Sequence, residues 1–270
     1  MVDSVSAWLK VSELSKDTWR IEDAGMVSQY LLAGKEKALL IDAGWGIGDL
    51  HARVASLTSL PLTVINTHGH PDHTCGNYRF ENVRIHQADV PLLKKNFSPK
   101  VRHDIMQRFK DQPLPEGFSE DAWVHAPLKR FAPFSGELSF DLGGRVVDVI
   151  ETPGHTPGSV SLYDRKEKWL FTADNIMEGN TLLNLEGSMP LSIFMNSVNK
   201  LAAMENKVEA LYPAHGRVAL KPSTLSDMQK GVKKVLDGKL IGKPEKTSRG
   251  SGAVIRFDSC GIVYNDERRY

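Results

Sequence analysis

Three histidines and one aspartate fall within six consecutive positions of this 270-residue chain, in the run Thr67-His68-Gly69-His70-Pro71-Asp72-His73. Neutral imidazole nitrogens and carboxylate oxygens are the donors that Zn²⁺ and neighbouring first-row ions take. Gly69 and Pro71 predict a tight turn, in which positions 68 and 70 converge while 72 and 73 swing to a second point. With only nine histidines in the chain, so dense a run is not what an ordinary polar turn would hold. Three further donor candidates each follow an apolar run. His155 lies in Thr152-Pro153-Gly154-His155-Thr156-Pro157-Gly158, Asp174 closes Phe171-Thr172-Ala173-Asp174, and His215 lies in Tyr212-Pro213-Ala214-His215-Gly216. Taken singly, His155 and His215 read equally well as turn histidines, and Asp174 as a helix N-cap. Jointly they stand at strand ends, where an α/β sheet presents its functional rim.

The elements that position these residues follow from the apolar pattern. Trp19–Ile21, Gln29–Ala33 and Ala38–Asp42 read as adjacent strands, the last two joined by a hairpin over Gly34-Lys35-Glu36-Lys37. Leu50, Val54 and Leu57 at helical spacing predict a helix from Asp49 to Ser59. The β-branched run from Leu62 to Thr67 then predicts a buried strand that delivers His68. Later strands are expected over 137–140, 145–150, 160–163, 168–172 and 210–212. Helices are expected from about Ser192 to Asn206 and Ser223 to Leu236, and a closing hairpin over 253–257 and 261–264. Residues 94–135 break the rhythm with five prolines, a possible helix from Lys100 to Lys110, and scattered aromatics. They read as an insertion over one edge. The whole is an α/β chain.

Composition narrows the function classes. Thirty-four Lys+Arg against 33 Asp+Glu leave a net charge of +1, which gives no electrostatic footprint for nucleic acid or an anionic membrane surface. Cys75 and Cys260 are the two cysteines, too few for a disulfide framework, and point to a reducing compartment. The opening residues lack the charged and apolar regions of a signal peptide, and no apolar run approaches the ~20 residues that span a bilayer. The expectation is a cytoplasmic protein that acts on a small molecule, without nucleic-acid or membrane partners.

His-X-His-X-Asp-His, a Gly-His-Thr-Pro-Gly turn, a strand-end Asp and a late Pro-Ala-His-Gly together resemble the metallo-β-lactamase-fold hydrolase superfamily over roughly residues 20 to 220. The resemblance implies a four-layer αββα sandwich with two metal ions at one edge. Residues 1–270 would form one domain, with 94–135 as a helical and loop cap over the metals and 217–270 as a closing helix and hairpin. Carried over by position, His68, His70 and His155 would hold one metal, and Asp72, His73 and His215 the other. Asp174 would bridge them. Two divalent ions, Zn²⁺ first with Fe or Mn as alternatives, would lower the pKa of a shared water toward ~7 and polarise the substrate oxygen. Asp72 would orient that nucleophile.

Branches of the superfamily are distinguished by the same residues. Dedicated β-lactamases generally carry Cys or Ser where this chain has Asp174, which leaves only weak activity of that kind. Glyoxalase II-type thioesterases share the Thr-His-X-His-X-Asp-His and Gly-His-Thr phrases but add a longer helical C-terminal domain. Acyl-homoserine lactonases place a Tyr shortly after the bridging Asp, where this chain runs Asp174-Asn175-Ile176-Met177-Glu178. The resemblance therefore implies a dinuclear hydrolase of an ester, thioester or lactone carbonyl. A mononuclear iron persulfide dioxygenase is the alternative, and a phosphodiesterase a further one. Phe109, Trp123 and Phe134 in the 94–135 segment are the candidate substrate contacts, either as an apolar mouth or as the segment's own core. A homodimer is an open possibility.

Overall fold

Short β-branched and aromatic runs separated by Gly, Asp and Asn turns fold as strands through most of the chain. The computed structural model describes residues 8–247 and 250–270, so the first seven residues, read above for a signal sequence, lie outside it. The chain divides into two compact units, residues 1–135 with 140–145, and residues 136–139 with 146–270.

The first unit is built on a seven-stranded sheet whose spatial order follows the chain: β1 (Leu9–Ser15), β2 (Thr18–Asp23), β3 (Val27–Ala33), β4 (Ala38–Ile41), β5 (Leu62–Asn66), β6 (Val83–His86) and β7 (Phe131–Phe134). The expected hairpin is present, with β3 and β4 antiparallel from Ala33 opposite Ala38 to Tyr30 opposite Ile41. From β4 onward the pairs are parallel. Every residue of β3 and β4 is buried, which is why they read as nearly unbroken apolar runs. The crossover from β4 to β5 carries α1 (Leu50–Ala55), which Asp49 caps by accepting from the Ala52 amide at 3.0 Å. It ends at Ala55, short of Ser59, where the Ser56 hydroxyl turns back to donate to the Arg53 carbonyl at 2.7 Å, a local bond that competes with the helix.

The remaining helices of this unit are short: α2 (Pro71–Thr74), α3 (Val90–Asn96), α4 (Pro99–Met106) and α5 (Glu120–Val124). The last turn of α4 tightens through Arg108 N–Ile105 O and Phe109 N–Met106 O, both 2.9 Å, so the expected helix to Lys110 ends early and Phe109 swings inward. Its ring packs at 5.5 Å from Trp8 and 5.3 Å from Trp45, and Trp123 donates its indole N–H to the Trp45 carbonyl at 3.0 Å. Arg102 is fully buried, with its guanidinium over the rings of Phe97 and Trp123 and an N–H donated to the Cys75 carbonyl at 3.2 Å. Residues 94–135 thus anchor their aromatics on Trp8 and Trp45 of the same unit and end by adding β7 to the sheet.

The second unit contains β8 (Leu138–Asp141, its last two residues belonging to the first unit), β9 (Val146–Glu151), β10 (Val160–Asp164), β11 (Trp169–Ala173), β12 (Asn180–Leu183) and β13 (Ala210–Pro213). A five-stranded sheet runs β13-β11-β10-β9-β8. A second sheet, β12-β16-β15-β14, uses β14 (Lys243–Thr247), β15 (Gly250–Arg256) and β16 (Gly261–Tyr264). The expected closing hairpin is β15–β16, with Ile255 opposite Ile262, and β12 joins it in parallel. Helices α6 (Leu191–Ala202) and α7 (Thr224–Leu236) bury Phe194, Val198, Leu225, Met228 and Val232 in a core shared with Leu170, Leu211 and Ile262. Truncating any one of these to Ala would cost about 2–5 kcal/mol.

Each unit holds one free, buried cysteine, Cys75 in the first and Cys260 in the second. Burial pushes both thiols up to about 12. Among the described residues no helix is long and apolar enough to cross a membrane.

Candidate metal centre

In the first unit β5 ends at Asn66 and the chain enters the histidine turn, with Pro71 opening α2. The turn is held by side chains far away in sequence. Asp42, just past the end of β4, accepts from the Thr67 amide (2.7 Å), the Thr67 hydroxyl (2.8 Å) and His73 Nδ1 (2.7 Å). A carboxylate only accepts, so the proton of His73 sits on Nδ1 and its Nε2 carries the lone pair. With its hydroxyl proton given to Asp42, Thr67 Oγ1 accepts from His68 Nδ1 at 3.2 Å, which sets the same tautomer in His68. The Gly69 peptide is clamped from both ends of α3: its N–H donates to Asp89 at 2.7 Å, and its carbonyl accepts from the Asn96 amide. Asn66 and Asn77 bond each other twice, and the Asn66 amide also donates to the His73 carbonyl. A Cβ at Gly76 would lie 2.0 Å from the Ala43 carbonyl oxygen, so only glycine lets the turn after α2 lie against the segment that follows β4.

Two donor pairs result. His68 Nε2 stands 3.0 Å from His70 Nδ1, and His73 Nε2 stands 3.8 Å from Asp72 Oδ1. Asp42 itself has φ +67°, a left-handed conformation that a non-glycine residue holds only where its surroundings enforce it.

In the second unit the three candidates come from three separate strand ends. His155 follows β9, where Thr152, Ser159 and Ser161 tie the turn together and a Cβ at Gly154 would collide with the Phe194 ring at 2.3 Å. His155 Nδ1 donates to the Leu182 carbonyl at 2.7 Å, so its Nε2 is the donor atom, and the Asn175 amide braces both its N–H and the Thr152 carbonyl. Asp174 follows β11 behind Ala173, whose φ is +48°. His215 follows β13, and the Ala214 amide donates to the Ala173 carbonyl at 3.1 Å. The two oxygens of Asp174 face different imidazoles: Oδ2 stands 3.4 Å from His155 Nε2, and Oδ1 stands 3.4 Å from His215 Nε2.

The two 3.4 Å spacings at Asp174 fit metal ligation. Atoms bound at about 2.0–2.1 Å to one tetrahedral ion stand roughly 3.3–3.4 Å apart, longer than a strong hydrogen bond. Ligating histidines give their other ring N–H to a carboxylate or carbonyl, as His73 and His155 do. A carboxylate with one oxygen toward each of two imidazoles has the form needed to bridge two cations.

The residues that support these donors were not among the sequence-derived candidates: Asp42, Asp89, Asn96, Asn175 and the Leu182 carbonyl. Asp23 is also buried near this turn, accepting from Trp8 Nε1 at 2.7 Å and the Trp45 amide at 2.8 Å. Burial pushes its carboxyl up to about 7, and the nearby charge of Asp72 adds to the rise. Of the proposed substrate contacts, Phe109 and Trp123 are 1% and 2% exposed and are packed against Trp8 and Trp45 in the core of the first unit, so they present no open apolar mouth. Phe134 is half-buried, edge-on to His86. The other histidines have peripheral roles: His51 packs on Phe80, His103 meets Glu120, and His125 meets Asp121.

A model of the metallo-β-lactamase superfamily matches residues 23–215. The acyl-coenzyme A thioesterase MBLAC2 of Gallus gallus is 28% identical over 205 residues, covering 72% of this chain and 74% of that protein. An atrochrysone carboxyl ACP thioesterase of Aspergillus fumigatus is 27% identical over 194 residues, 70% of this chain and 37% of that one. A solved metallo-β-lactamase family protein of Thermus thermophilus superposes with a TM-score of 0.61 at 20% identity, over 86% of this chain and 85% of its own. That likeness is one of fold, and it agrees with the α/β class expected from the sequence.

Proposed function

The chain belongs to the metallo-β-lactamase superfamily and is a metal-dependent hydrolase, and from that premise we propose that it hydrolyses small-molecule acyl thioesters at a dinuclear centre. The seven donors would serve one pair of ions, Zn²⁺ first: His68, His70 and His155 would hold one, Asp72, His73 and His215 the other, and Asp174 would be shared. The observation that carries this reading is Asp174, with one oxygen turned to His155 and the other to His215. The thioester class is supported by the relatives, two of which are named as thioesterases. Residues 1–270 act as one catalytic domain.

When bound, two such ions supply a hydroxide near neutral pH and polarise the acyl carbonyl. Asp174 would hold both ions and offset their mutual repulsion. Asp72 accepts a hydrogen bond from the attacking water and so orients it. Asp42 and Thr67 keep His68 and His73 in the tautomer whose Nε2 can donate. The acyl carbon gains the water oxygen, the C–S bond breaks with its electron pair on sulfur, and the proton lost by water ends on the thiolate. The products are an acid and a thiol.

The test is a panel of esters, thioesters, lactones, phosphodiesters and β-lactams, run on protein of measured metal content. The expected result is close to two divalent ions per chain and the highest kcat/KM on a thioester. One tightly bound iron with thiol-dependent oxygen uptake would replace this reading with the persulfide dioxygenase one.

A further inference from the structure

Within the second unit, a pocket of about 570 Å³ opens where the segment after β11, the segment after β13 and the β15–β16 turn come together. Arg217, Lys221 and Arg256 line it, with the hydroxyl residues Ser223, Thr224 and Ser259 and the ring of Phe257. It adjoins the metal-ligand candidates along the chain, since Glu178 in its wall is four residues from Asp174 and Arg217 is two from His215.

Three features give this pocket the chemistry of a phosphate receptor. The 13-residue α7 begins there with no side-chain cap at Ser223, which puts the positive end of its dipole at the wall. Thr224 is 2% exposed yet lines the pocket, and among the described residues its hydroxyl has no hydrogen-bond partner. That oxygen is also not among the polar atoms sealed from solvent, so it opens onto the cavity. The cations are arranged unequally. Arg217 is held at 3.1 Å by Glu178, and Arg256 forks onto Glu245 at 3.0 Å. Lys221 makes no ion pair among the described residues, and Asp258, the other acid of the wall, is exposed. A guanidinium in one ion pair still has N–H donors to offer a phosphate.

We propose that this pocket holds the phosphate of a 4′-phosphopantetheine thioester, the group common to acyl-coenzyme A and acyl carrier proteins. The inference rests on the thioesterase reading and deepens it, because it names the handle by which the substrate is held. Lys221 supplies a charge engaged in no ion pair among the described residues, the Thr224 hydroxyl donates to a phosphate oxygen, and Phe257 closes the wall.

The experiment compares acyl-4′-phosphopantetheine with acyl-pantetheine, which differ only in the phosphate, for the wild-type holoenzyme, Lys221→Glu and Thr224→Val. Wild type should prefer the phosphorylated substrate in kcat/KM by at least tenfold. That preference should fall about tenfold or more in Lys221→Glu and about threefold in Thr224→Val, with metal content and melting temperature unchanged. Equal rates on the two wild-type substrates, or a preference that survives Lys221→Glu, would overturn the pocket while leaving thioester hydrolysis standing. Calorimetric titration with 4′-phosphopantetheine itself decides the matter if no thioester is cleaved: weaker binding in Lys221→Glu sustains the pocket although the thioesterase reading has failed, and no binding to wild type removes both. Acyl-coenzyme A and a loaded acyl carrier protein, as two further arms, identify the source of the group by the larger kcat/KM.

Discussion

The two units assemble their donors in opposite ways. The first takes four candidates from six consecutive residues and adds side-chain charge to the neutral amides of Asn66 and Asn96 that brace them: Asp42 beneath His73 and Thr67, Asp89 beneath Gly69. The second takes three candidates from the ends of β9, β11 and β13 and braces them with neutral groups, the Leu182 carbonyl and the Asn175 amide. A contiguous turn has little scaffold of its own, so it needs strong, charge-assisted bonds from outside to fix it. Strand ends are already fixed by their ladders, and ordinary hydrogen bonds are enough to finish the geometry.

The largest test of this contrast is Asp174→Ala. If Asp174 holds two ions, metal content and turnover should fall together, turnover by about a thousandfold, or about 4 kcal/mol. Full activity with both ions retained would reduce Asp174 to a strand-end cap and leave the second unit with two isolated histidines.

A second test concerns the cost of concentrating acids in the first unit. Asp23 binds its proton more tightly folded than unfolded, because its pKa rises from 3.8 to about 7. Its stability contribution is therefore fully present below about pH 4 and is lost as pH rises through about 7. At 1.36 kcal/mol per unit, the loss is at most about 4 kcal/mol. Urea unfolding of metal-free wild type and Asp23→Asn should show the wild type losing ground against the variant between pH 4 and pH 8. A pH-independent difference would mean that the bonds from Trp8 and Trp45 keep Asp23 ionised in spite of burial.

The remaining two tests compare the braces directly. Asp42→Asn removes the charge beneath His73 and should weaken metal affinity about 10–100-fold in a chelator competition. Asn175→Ala, its counterpart in the second unit, should weaken it roughly threefold and cost about 1–2 kcal/mol of stability, as expected for neutral bonds. Equal losses in the two variants would break the contrast between charged and neutral support.

The same contrast explains what was legible in the sequence. The first unit's donors are adjacent, so residue type and spacing alone revealed them. His155, Asp174 and His215 are individually ambiguous, and became informative only as a set that recurs at strand ends. Their supports were invisible because they lie far along the chain: Asp42 is 25 residues from Thr67, Asn96 is 27 from Gly69, and Leu182 is 27 from His155. Asp42 was within the strand expected over 38–42, but nothing local marks the end of a strand as a brace. The long apolar strands and both C-terminal helices were legible for the usual periodic reasons. Strands β1, β6, β7, β12 and β14 were not, since Lys, Ser, Glu, Arg, Asn or Pro interrupt their few apolar residues and no run stands out. Phe109 and Trp123 illustrate the limit most plainly, because an aromatic in an irregular segment reads alike whether it faces a ligand or its neighbours.

The single buried cysteine in each unit has a practical consequence. A thiol near pKa 12 is on the order of one part in 10⁵ thiolate at pH 7, against a few per cent for an ordinary one. Alkylating reagents should leave the folded chain untouched and mark each sulfur only when its surroundings open. Peptide mapping after timed exposure to a maleimide would then act as a pair of clocks, Cys75 reporting opening of the first unit and Cys260 that of the second. Zinc added before the reagent should slow whichever clock belongs to a unit that the metal steadies. Two rates that rise in step with denaturant would show the halves coming apart together, and two that diverge would show which one yields first.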